Sequence, residues 1–70
     1  MLMTDLDLSR AMDIARLINE LTSARRLADS YARSLKKMPP GLGKRTVRAA
    51  YLRTQARIRA LERALKKKLN

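Results

Sequence analysis

An all-α, antiparallel two-helix hairpin is the fold this sequence predicts, on three observations. Both prolines and both glycines fall in one stretch, Met38-Pro39-Pro40-Gly41-Leu42-Gly43. The segments on either side are rich in Ala, Leu, Arg, Lys and Met, the strong helix formers. Each segment carries an apolar stripe of heptad spacing, and the two stripes match in register. The 70 residues form one helical-hairpin domain, 1–70.

The first helix is expected over about residues 5–37. Thr4 can accept a bond from an amide near Asp7, and Asp5 and Asp7 suit the positive end of the helix dipole. Lys36 and Lys37 suit its carbonyl end. A turn over 38–44 follows, because Pro-Pro cannot continue a helix and glycine permits a reversal. The second helix is expected over about 45–68, closing on Lys66-Lys67-Lys68. Lys44 and Arg45 oppose the dipole at its start: either something negative sits there, or water and the Thr46 hydroxyl serve the free amides.

The core follows from the periodicity. Ile14, Leu17, Leu21, Ala24, Ala28, Tyr31, Leu35 and Met38 are spaced 3-4-3-4-3-4-3. Val47, Tyr51, Thr54, Ile58, Leu61 and Leu65 are spaced 4-3-4-3-4. In a hairpin folded about Gly41, facing residues have numbers that sum to about 82. That rule sets Leu35 against Val47, Tyr31 against Tyr51, Ala28 against Thr54, Ala24 against Ile58, Leu21 against Leu61 and Leu17 against Leu65. No residue has to be inserted or removed.

The first helix overhangs the second by roughly two turns. Leu6, Leu8, Ala11, Met12 and Ala15 lie on or near that overhang. Leu8, Ala11, Ala15, Ile18 and Thr22 form a second stripe beside the seam. So small a chain has a marginal core of its own. Leu8, Ala11, Met12, Ala15 and Ile18 are therefore the expected interface of a homodimer, two hairpins making a four-helix bundle.

Charge is the strongest functional signal. The chain has 17 Lys and Arg against 6 Asp and Glu, a net +11. Residues 1–43 carry 7 basic and 5 acidic groups; residues 44–70 carry 10 basic and 1 acidic. Arg48, Arg59 and Lys66 cluster on one face of the second helix, with Arg45 and Arg63 slightly further round. The strip runs roughly 30 Å and has Leu52 along it, a length and density that suit a phosphate backbone. Both tyrosines belong to the seam, so base stacking has no platform. The expected partner of Arg45, Arg48, Leu52, Arg59, Arg63 and Lys66 is nucleic acid, DNA or RNA, held by its backbone. The alternative is an acidic protein surface, the chain then being a small regulator or inhibitor of a host or cognate protein, in the style of phages and mobile elements.

Catalysis has little to work with. The sequence contains no Cys and no His, which removes thiolate chemistry and the commonest general base and metal ligand. No enzyme activity, cofactor or metal site is expected. Glu20 and Glu62 fall at a similar height but have arginines at helical neighbour positions, so surface ion pairs are expected there. Gly41-Leu42-Gly43-Lys44-Arg45 fails as a phosphate-binding loop: Met38 stands where the first glycine belongs, and Arg45 where a hydroxyl belongs. The longest apolar run is three residues, and the acidic start is unlike a signal peptide, so a cytoplasmic protein is expected.

Two known shapes are similar. Plasmid primer-repressor proteins are small helical hairpins that pair into four-helix bundles and bind RNA. Ala56-Arg57-Ile58-Arg59 resembles part of the second helix of a short, basic, two-helix ribosomal protein family. Residues 39–43 and the acidic start depart from that family's pattern, and the chain is assigned to neither.

Overall fold

A computed structural model describes the chain from Asp5 to Asn70, with the side chain of Leu6 excepted. Two helices, α1 (Asp5–Lys37) and α2 (Leu42–Leu69), pack against each other along their length. The described residues contain no strand. The molecule is a rod of 58 × 15 × 14 Å. The expected Thr4 cap and any contact of Leu6 lie outside the described residues.

The seam is where the heptads put it. Leu21, Ala24, Ala28 and Ile58 are buried together, with Tyr51, Leu61 and Leu65 packed against them. Ile14, Leu17, Tyr31, Leu35 and Val47 are half-buried, so every expected core position is at least partly withdrawn from water. Two of the four buried residues are alanines, which lets the backbones approach closely at the centre of the rod. Thr54 is also buried, and its hydroxyl donates to the Ala50 carbonyl at 2.9 Å, so this polar layer leaves no orphaned group. Tyr51 keeps its hydroxyl satisfied through Gln55, whose amide donates to it at 2.7 Å.

The reversal is tighter than the sequence predicts. α1 ends at Lys37 as expected, but α2 begins at Leu42, three residues ahead of the expected start at 45. Gly41 accounts for the difference. Its φ of 156° is a conformation that side-chain-bearing residues rarely adopt, and with Met38, Pro39 and Pro40 it completes the reversal in four residues. The first α2 bond then forms at once, Arg45 N–H to the Gly41 carbonyl at 3.1 Å. Gly43 lies inside the helix with ordinary backbone angles. Thr46 does not serve the free amides either; its hydroxyl donates backwards to the Leu42 carbonyl at 3.0 Å.

The two glycines therefore separate by mutation. Gly41→Ala forces an unfavourable φ and is expected to cost about 1 kcal/mol or more. Gly43→Ala adds a helix-favouring methyl 3.5 Å from the Met38 Cε, an ordinary contact, and is expected to stabilise by up to about 1 kcal/mol. Thermal melts of the two single variants check this: Tm should fall for the first and hold or rise for the second.

Candidate functional site

The outer surface of α2 carries the densest uncompensated charge on the molecule. Arg45, Arg48, Leu52, Arg59, Arg63 and Lys66 are all exposed, Leu52 to 60%. None of the five cations makes an ion pair or a side-chain hydrogen bond with another described residue. The strip starts beside the turn, where Pro40, Gly41 and Leu42 line a shallow concavity with Lys44, Arg45 and Arg48. The first turn of α2 has no acidic residue, and its N-cap Gly41 has no side chain to offer. Lys44 and Arg45 thus sit at the positive end of a helix dipole, an unfavourable placement that a bound anion would relieve.

Two acidic residues, Asp13 and Glu62, are engaged in ion pairs away from the strip. Glu62 is bridged by Arg25 of α1 at 3.2 Å, rather than by Arg59, Arg63 or Lys66 of its own helix. Arg16 pairs with Asp13 at 2.7 Å, not with Glu20. Asp13 also takes Lys68 across the hairpin at 3.4 Å. Arg10 donates through its Nε to the Lys68 carbonyl at 3.0 Å, and through Nη2 to the same oxygen. The start of α1 thereby holds the last turn of α2. Glu20 lines a different groove, with Asn19, Ser23, Ala24, Leu27, Thr54 and Arg57, so Glu20 and Glu62 form no carboxylate pair.

These cross-helix pairs also identify the faces of the hairpin. Arg25 and Glu62 meet on one face. Ile18 and Thr22 share the row of Arg25 on α1, seven and three residues before it; Arg59 and Lys66 flank Glu62 on α2. The apolar stripe of α1 and the basic strip of α2 thus border the same face, whereas Asp13 and Lys68 meet on the opposite one. Helical wheels drawn for each helix alone do not reveal this relation. Along the stripe, Leu8 is 50% exposed, Met12 64% and Ile18 47%, and Ala11 and Ala15 are exposed as well. None of these five contributes to the hairpin core.

Among the described residues no three His, Cys, Asp or Glu side chains gather into a metal-binding group. No described helix is long and apolar enough to cross a membrane. Comparison with family models, curated proteins and solved structures finds no match to the chain.

The Asp13 cluster gives a pH signature. Hydrogen bonds from Arg16 and then Lys68 hold the Asp13 carboxyl below the usual carboxylate range. A carboxyl depressed in the folded state contributes stability above its unfolded pKa and loses it as pH falls through the folded value. Asp13→Asn is therefore expected to lower Tm slightly at neutral pH. The difference from wild type should shrink on acidification below the ordinary aspartate range and vanish once wild-type Asp13 is protonated, as followed by thermal melts across pH.

Proposed function

We propose that this chain is a non-enzymatic nucleic-acid-binding protein whose second helix engages the phosphate backbone, DNA or RNA, without reading sequence. The supporting observation is the strip itself: five exposed cations on one side of α2, none paired with another described residue. Flexible point charges spaced along roughly 30 Å suit a repeating polyanion. The strip has no aromatic side chain and no rigid pocket with which to distinguish bases. Such a protein works in the cytoplasm, where its ligand is.

The same reading makes the protein a homodimer. Leu8, Ala11, Met12, Ala15 and Ile18 leave an apolar stripe in water on a hairpin with only four buried hydrophobic residues among those described. A second copy covers it, giving a four-helix bundle centred on the two α1 helices. The charged groove of Arg25, Glu62, Arg59 and Lys66 stays outside that contact, because burying it would strand ions in the interface.

An alanine scan of Arg45, Arg48, Leu52, Arg59, Arg63 and Lys66 tests the backbone reading against mixed-sequence nucleic acid in a salt series. Each engaged strip should give a slope of log K on log salt of about −4 to −5, from five phosphate contacts. Each cation-to-alanine change should lower the slope by about one per engaged strip and weaken binding on every sequence. Leu52→Ala should do little. A wild type that binds no nucleic acid near physiological salt overturns the reading. If Leu52 and Arg59 then dominate capture of an acidic protein surface, as anchors in protein interfaces do, the regulator reading takes its place.

A further inference from the structure

On α2 the basic strip sits about 130° round from the seam, and on α1 the apolar stripe sits about 130° round from the same seam. The Arg25–Glu62 bridge puts both on one side of the hairpin. Because the helices run in opposite directions, these offsets splay. The stripe faces up and outward over α1, and the strip faces up and outward over α2, roughly 80° apart. Contact through the stripe therefore leaves the strip uncovered.

Charge at the ends of the stripe selects the orientation of a second copy. Asp5 and Asp7 precede Leu8, whereas Arg25 and Arg26 follow Thr22. Parallel α1 helices would oppose acid to acid and arginine to arginine. Antiparallel helices crossing near Ala15 set Asp5 of each copy beside Arg26 of the other. Ala11 and Ala15 lie at that crossing, where small side chains let backbones approach. The two-fold axis of such a pair lies at right angles to the contact, close to the direction in which each strip faces.

We infer that the nucleic-acid site is composite: a second copy, bound antiparallel through the α1 stripe, presents its own strip on the same side, and the two strips together grip a double-stranded nucleic acid. The inference rests on the polyanion reading above. With packed helices about 8–10 Å apart, the two α2 axes lie roughly 20 Å from each other across a concave side floored by the α1 pair. Helices about 10–12 Å across leave roughly 10 Å between them, so a double helix does not enter the gap but rests across the two basic ridges, which face the same side, whereas a single strand follows one ridge only.

The test combines sedimentation with binding of a mixed-sequence DNA duplex, and of one of its single strands, across a salt series. The wild-type chain should be a dimer with a duplex slope of about −9, twice that of one strip. Ile18→Asp and Ile18→Lys both alter the stripe and leave the strip intact. Each should give a helical monomer by circular dichroism, a slope near half the wild-type value and duplex affinity lower on the order of a hundredfold. Opposite added charges with one outcome separate lost pairing from changed charge. Asp5→Arg should weaken the dimer, and adding Arg26→Asp to the same chain should restore it. A monomeric wild type, or a monomeric variant that keeps the wild-type slope and duplex affinity, overturns the composite site while leaving single-strip binding in place. A wild-type dimer that binds neither duplex nor single strand overturns the polyanion reading and the composite site with it.

Discussion

One pivot between the end of α1 at Lys37 and the start of α2 at Leu42 governs every contact along the rod. Two heptad stripes can face each other only if their layers meet at the same heights. The four residues Met38 to Gly41 achieve this, Gly41 closing the turn with a φ of 156°. The buried group of Leu21, Ala24, Ala28 and Ile58 then falls at the middle of the rod, and exposure rises toward both ends. A shift of one residue in the turn would rotate each seam residue of α2 by about 100° and break the stripe.

So narrow a seam leaves the hairpin with little stability in reserve. Among the described residues three ion pairs occur: Arg25–Glu62 and Lys68–Asp13 join the two helices, and Arg16–Asp13 lies within α1. Solvent-exposed pairs of this kind add little to stability. They matter more for placement. They engage Asp13 and Glu62 with Arg16, Lys68 and Arg25, and none of the described pairs includes a cation of the α2 strip. The unpaired strip and the unfavourable helix start at Lys44 and Arg45 both make the free protein electrostatically strained. An anionic ligand relieves both, which links the economy of the fold to its proposed role.

The candidate site was legible in unequal parts. Exposure of Arg45, Arg48, Arg59, Arg63 and Lys66 follows from their angle to the seam, and the structure places all five outward. The partner of Glu62 was not legible. Helical spacing offers several arginines to Glu62, but Arg25 comes from a helix 37 residues away. Which long side chain reaches which carboxylate depends on the distance between two helices, and a one-dimensional pattern does not contain that distance.

The extent of α1, the existence of α2 and the pairing of their apolar stripes were determined by sequence alone, because helix propensity and a heptad repeat are local properties written along one chain. The start of α2 was not. Gly41 and Gly43 look alike in sequence, and only the folded backbone shows which one takes the positive φ and which becomes an ordinary helical residue. Nor could the sequence show that the apolar stripe of α1 and the basic strip of α2 border one face. Each helix fixes angles only relative to its own axis. Joining the two sets requires the handedness of the helices and their antiparallel packing, which the Arg25–Glu62 contact makes visible and the tertiary fold alone decides.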